Sequence, residues 1–364
     1  MKRYILLVFL LVLAFSTKAV NKVEKFNLPD SIYVGGQKAG HVQGIAYDFE
    51  KDCMYLSFTT RFLKVNRKGE IIGSIEKVEG HLGDMTVSPI DGKVYASLEC
   101  IDDEIGKGVA KRLGIKGYTK EQSTFYVAVI DVDKITRVGM DSEKDGLIKT
   151  FCVHPAGVDY KRDFHGAAGM DGVTFVPKKG SGKKNQWQLC VAYGIYLDTN
   201  RTDNDCQILL TYDIKDFERY LTPMEYGKLH QNGPKEARGK YFIYTGNTKY
   251  GIQNLEYDSH TGKIFMAVYK GKKRQYANSD LFTLDWKPST FAKSYEQAVS
   301  TAQPLGGWRF KWGATGMFPI GDGYWYISEN AKDKVHKTQS CTARLYLWSP
   351  QALNGPFVKL NNKK

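Results

Sequence analysis

No apolar run in this chain reaches the roughly 20 residues that a membrane-spanning helix needs. The run Tyr4–Phe15 stops well short, and it follows Met1, Lys2 and Arg3 and precedes Ser16-Thr17-Lys18-Ala19. A basic start, a short apolar core and a small-x-small exit form the pattern of a cleavable secretory leader, expected here over residues 1–19 with Thr17 and Ala19 as the small residues. Cysteine is also scarce: the six residues 53, 100, 152, 190, 206 and 341 are too scattered for a disulfide framework. None is spaced as a tight zinc-binding pair. Cys190 and Cys206 flank a predicted loop, which a disulfide between them would close. The chain lacks a Gly-rich phosphate loop, a Gly-x-Ser-x-Gly elbow, an HExxH helix and any recognised nucleic-acid motif. Those absences argue against P-loop enzymes, classical serine hydrolases, zincins and nucleic-acid binding.

Nothing reads as a linker either, so residues 20–364 are expected to form a single domain in a periplasm or outside the cell. What the chain has in abundance is aromatic residues, with 23 Tyr and 18 Phe. Together with the lack of a long amphipathic helical run, this tilts the class toward all-β. The formal net charge of +13 remains strongly positive after Lys2, Arg3 and Lys18 are removed. Such a field suits an anionic partner, a small molecule or a polysaccharide, although it also serves solubility alone. A monomer is expected.

One phrase recurs along the chain: a polar or small residue, an alternating strand, a tight turn and a second alternating strand. It appears as Gln43-Gly44-Ile45-Ala46-Tyr47 with Met54-Tyr55-Leu56-Ser57-Phe58, and as Gly83-Asp84-Met85-Thr86-Val87 with Val94-Tyr95-Ala96-Ser97-Leu98. Asp171-Gly172-Val173-Thr174-Phe175, Gln253-Asn254-Leu255-Glu256-Tyr257 and Thr315-Gly316-Met317-Phe318 open three further copies. Period-2 alternation bounded by Asp/Gly turns marks β-hairpins. A third strand and often a fourth follow each hairpin, so the repeat reads as the blade of a five-bladed β-propeller. A sixth blade hidden in the long stretch from Glu99 to His165 is the alternative.

Propeller geometry gathers the residues leading into each inner strand, and the loops after each second strand, onto one face. His41, His81 and His165 would supply proton transfer there, and Glu99 and Glu329, each ending a second strand, would act as paired carboxylates. Arg61, Lys270 and Arg274 suit an acidic substrate group, and Tyr193, Tyr196, Tyr269 and Trp312 offer platforms. The loop holding Lys332, Lys334, His336 and Lys337 adds positive charge. Gln43, Asp171 and Gln253 occupy matching positions, with Asp84 and Asn254 beside them. They either hydrogen-bond neighbouring blades or hold calcium on the axis through hard oxygen ligands. His154, before Pro155, is read as a loop residue.

The phrases Gln43-Gly44-Ile45-Ala46-Tyr47 and Asp171-Gly172-Val173-Thr174-Phe175 resemble the blade-opening motif of five-bladed calcium-dependent apyrases and esterase-like phytases. The resemblance implies calcium in the central channel and cleavage of phosphate esters. Gln43, Gly83, Gln253 and Thr315 stand where that motif carries an acid, and only Asp171 matches it. Two functions follow: a hydrolase or lyase acting on an acidic glycan or phosphate ester at the top-face opening, or a non-catalytic propeller that binds a glycan or protein.

Overall fold

The computed structural model describes residues 21–38, 40–178, 186–195, 197–333 and 337–360. The expected leader, Tyr196, Lys334 and His336 lie outside them. Five small sheets account for the strands, so the alternative of a sixth blade falls. The stretch assigned to it instead contributes the last two strands of the second blade and two α-helices, Glu104–Leu113 and His154–Lys161.

In order from the axis outward, the first blade is Gly44–Asp48, Cys53–Phe58, Arg61–Val65 and Ile71–Glu76. The second is His81–Val87, Val94–Cys100, Thr124–Ile130 and Ile148–Cys152. The third is Gly172–Pro177, Trp187–Tyr193, Cys206–Tyr212 and Gly239–Tyr244. The fourth is Thr248–Asp258, Lys263–Lys270, Leu281–Asp285 and Gly307–Trp308. The fifth begins Met317–Gly321, Tyr324–Asp333 and Thr338–Trp348. Its outer strand is assembled from both ends of the chain: Ser31–Gln37 pairs with one half of Thr338–Trp348, and Phe357–Lys359 with the other. This double pairing closes the ring.

The turns are built as their residue types dictate. Asp48 ends the first inner strand and its Oδ1 accepts from the backbone N–H groups of Glu50 and Lys51 at 2.9 and 3.0 Å. Asp258 does the same in the fourth blade with His260 and Thr261. These side chains imitate a backbone turn and so start the hairpin.

Exposed sheet edges invite pairing with other chains, and the outer edges here are covered by a repeated device. The segment between the third and fourth strands of one blade reaches back to the outer strand of the blade before it. Met140–Asp141 adds in parallel to Ile71–Glu76, and Thr222–Pro223 pairs with Ile148–Cys152. Ala292 forms a single bridge to Phe242. These excursions explain the uneven spacing of the repeats.

Between blades, apolar side chains interlock in four clusters that include Tyr47, Tyr55, Tyr212, Trp286 and Trp325, all at 2% exposure or less. All six cysteines are buried and free. Cys190 faces Thr211 in its ladder, five residues along the strand from Cys206. That offset is about 16 Å at the usual rise per residue, far beyond disulfide reach. His154 is not in a loop: it opens the helix His154–Lys161, with Pro155 in the first turn where its missing N–H is harmless.

Candidate functional site

All five inner strands run from the same face toward the axis, and an inner strand has no further neighbour to accept its N–H groups. In a ring this narrow, those donors need partners. Gly44, Gly172 and Gly316 occupy equivalent places in three blades, while Asp84 and Asn254 fill the axis from the other two. A Cβ on Gly44 would lie 2.8 Å from the Asp84 backbone, so the space is already taken. Asp84 Oδ2 accepts from Val173 N at 3.1 Å and Leu255 N at 2.8 Å, joining three blades. Asn254 donates to Gln43 O at 2.8 Å and accepts from Met317 N at 3.1 Å, joining the remaining two to the fourth. Ser57 and Ser97, one strand out, donate to the carbonyls of Gly83 and Asp171 in the next blade. Asp84 and Asn254, offered as calcium ligands, thus hydrogen-bond neighbouring blades. Among the described residues no group of three or more His, Cys, Asp or Glu is arranged to hold a metal ion.

One level toward the top face lies the polar mouth of the channel. His41 leads into the first inner strand, and its Nε2 is 3.3 Å from Gln43 Nε2. His81 opens the second inner strand and pairs across the ladder with Glu99, the last residue but one of the adjacent strand. The Glu99 Oε1 accepts from Met170 N in the third blade. Asp171 Oδ2 accepts from Gln253 Nε2 at 2.8 Å, while its Oδ1 is buried without a partner. Glycines make this crowding possible. A Cβ on Gly169 would lie 2.8 Å from Glu99 Oε1, and one on Gly83 2.7 Å from Asp171 Oδ1. The helix Glu104–Leu113 follows Glu99 in sequence, and its cap Asp103 accepts from Gly106 N at 2.7 Å. Arg112 of the same helix donates to Thr60 Oγ1 of the first blade at 2.6 Å.

Burial sets the protonation states of this cluster. His81, whose Nε2 is buried without a partner, has its pKa pushed down to about 4. Burial lowers that of His41 too, helped by the neighbouring charges of His81 and Lys332. The Glu99 carboxyl is pushed well above its ordinary range by burial and by the nearby Asp171. Asp171 rises to about 7 through burial, against the hydrogen bond from Gln253. Tyr269, raised to about 12 by burial and by Asp171, completes the group and meets Tyr250 edge-on at 6.3 Å. Burial thus disfavours the charged form of the imidazoles and of the carboxyls alike, an arrangement able both to accept and to donate a proton.

The structure thus brings together His41, His81, Glu99, Gln43, Asp171, Gln253 and Tyr269. Other expected members are placed elsewhere. His165 stacks on Tyr295 at 5.5 Å and meets Phe242 edge-on, on the outer side of the third blade. Glu329 is not paired with Glu99; its carboxylate binds Tyr346 Oη at 2.6 Å and Lys359 Nζ at 2.8 Å within the fifth blade. Arg61 is held by Glu76 at 2.6 Å and Gln37 at 2.7 Å. Tyr193 is buried in the core, its hydroxyl donating to Asp159, so it offers no platform. Trp312 is half-buried against the fifth-blade cluster, with Lys311 over its ring. Lys270 is the exposed last residue of the strand Lys263–Lys270, and Arg274 is exposed in the loop that follows it. Lys332 lies not in a loop but in the extended hairpin of the fifth blade. Sequence reasoning passed over Asp103, whose position before a helical stretch was its one signal, and Tyr250, an exposed aromatic at the rim.

No family model matches the chain, and no curated protein does, so the resemblance to apyrases and phytases gains no support from them. Among solved structures, a luciferin-regenerating enzyme is 11% identical, with 90% of this chain and 100% of that chain covered and a TM-score of 0.36. The soluble aldose sugar dehydrogenase of Escherichia coli is 10% identical, with 86% and 98% covered and a TM-score of 0.38. The Dos1 propeller is 10% identical, with 88% and 71% covered and a TM-score of 0.35. At those values the likenesses carry nothing about function. The chain is a five-bladed β-propeller by its own sheet topology.

Proposed function

We propose that this chain is an exported propeller enzyme, a hydrolase or lyase that works by general acid–base catalysis at the top-face mouth. The observation that carries the reading is the pairing of His81 with Glu99. An imidazole with a free, buried Nε2 stands across the ladder from a carboxyl on which burial favours the proton. In such a cleavage the imidazole removes one proton, from water in hydrolysis or from carbon in elimination. The carboxyl returns one to the oxygen that leaves, so the C–O or P–O bond breaks without a free charge forming. Asp171 and Gln253 hold the opposite wall, and Tyr269 with Tyr250 offers a face for a sugar or aryl group. Lys332 beside His41 and the exposed Lys270 and Arg274 favour an acidic group on the substrate, an acidic glycan or phosphate ester.

The test is turnover of polygalacturonate and of p-nitrophenyl phosphate by the full chain, by His81→Gln and by Glu99→Gln. Each variant is expected to lose at least about a hundredfold in kcat, the usual contribution of a positioned acid or base. Full turnover by both variants overturns the assignment. Saturable binding without product, at stoichiometric protein, turns the reading toward a non-catalytic glycan-binding propeller.

A further inference from the structure

At the opposite end of the axis, between the lower ends of the inner strands, lies a cavity of about 210 Å³. Its walls are aromatic: Phe49, Phe175, Trp187, Tyr257 and Phe318, contributed by four blades. Trp187 and Tyr257 meet edge-on at 6.0 Å, which fixes two of these walls. The fourth inner strand contributes Glu256, two residues below Asn254. Glu256 is 1% exposed, and its Oε1 is buried without a partner. Its other oxygen has only a long contact, 3.5 Å from Thr174 Oγ1. A buried carboxyl oxygen left unpaired costs free energy that a ligand can recover.

We propose that this cavity is a second ligand site, and that it takes a small organic ammonium with its charged head on Glu256 and its apolar body against the aromatic walls. Size admits it, since a cavity of about 150 Å³ lined by apolar groups already holds benzene. Charge selects it. An anionic ligand would face Glu256 and Asp258 together, whereas an ammonium supplies the donor that Glu256 lacks and, by its charge, draws off the proton that burial favours on that carboxyl. The walls suit a cation as well, because aromatic faces attract one. Lys22 already does this at the rim, its ammonium lying 5.1 Å over the Phe49 ring. The site is separate from the histidine mouth, with the Asp84 and Asn254 bridges between them.

Calorimetric titration of the full chain with benzylammonium, benzyl alcohol and benzoate tests the proposal. Benzylammonium is expected to bind one-to-one and at least tenfold more tightly than benzyl alcohol, and benzoate not to bind. Glu256→Gln is expected to weaken benzylammonium at least tenfold and abolish its advantage over the alcohol. If that buried variant fails to fold, Trp187→Ala, on the half-exposed wall, is expected to show the tenfold loss instead. Equal binding of amine and alcohol, binding of benzoate, unchanged affinity in the folded variant, or no saturable heat with benzylammonium each overturns it.

Discussion

Asp84 illustrates how one residue type serves two needs on the axis. Its carboxyl is fully buried and pushed well above the ordinary carboxylate range by burial, yet Oδ2 is the acceptor for donors of two other blades. Asp84→Ala leaves two buried N–H groups unpaired, at a cost of about 1–3 kcal/mol each. A loss of about 2–5 kcal/mol in denaturant unfolding is therefore expected. Asp84→Asn keeps an acceptor oxygen at this place, so its loss is expected to be much smaller; equal losses for the two would contradict this role. The mouth residues His41, His81, Glu99 and Asp171 were legible because they stand at matching points of the repeat. Tyr193 and Glu329 stand at such points too, but Asp159 and Lys359 claim their polar ends. Those partners come from a helix and an outer strand, and nothing near either residue in sequence announces them.

At the scale of elements, the inner hairpins were written plainly in the sequence. Alternation and Asx turns are local, and both hairpin strands of all five blades were found from them. The fourth strands Ile71–Glu76, Ile148–Cys152, Gly239–Tyr244 and Phe357–Lys359 were legible as well. The segments that cover the outer edges were not, because they come from another blade or from the far end of the chain. Ser31–Gln37 is the clearest case: it closes the fifth blade some 300 residues away, and its Ile32 is fully buried. Ile32→Ala is expected to cost about 2–5 kcal/mol, the usual loss for such a truncation in a packed core. Chemical denaturation would show it. A loss below 1 kcal/mol would mean that the closing strand contributes little to the ring.

Across the whole molecule, buried carboxyls descend the axis from Glu99 and Asp171 through Asp84 to Glu256, each held above its ordinary range chiefly by burial. The folded chain keeps protons that the unfolded chain releases just above about pH 4. Stability from these groups is therefore complete in acid and is lost as pH rises, through about 7 in the case of Asp171. His41 and His81 act in the opposite sense. Their lowered values mean that the unfolded chain gains protons below about pH 6.5 that the folded chain refuses, which erodes stability toward acid. The carboxyls outnumber them, so stability is expected to fall between about pH 5 and pH 8, and Glu99→Gln to flatten that slope.

The proposed acid–base function rests on the same effect of burial, with the His81 imidazole facing the Glu99 carboxyl. Its most direct test is an NMR titration of the histidine rings in the full chain, with the His81 signal assigned by its loss in His81→Gln. The account predicts that His81 stays neutral through the physiological range and titrates at about 4. A midpoint near the ordinary histidine value of about 6.5 would contradict it.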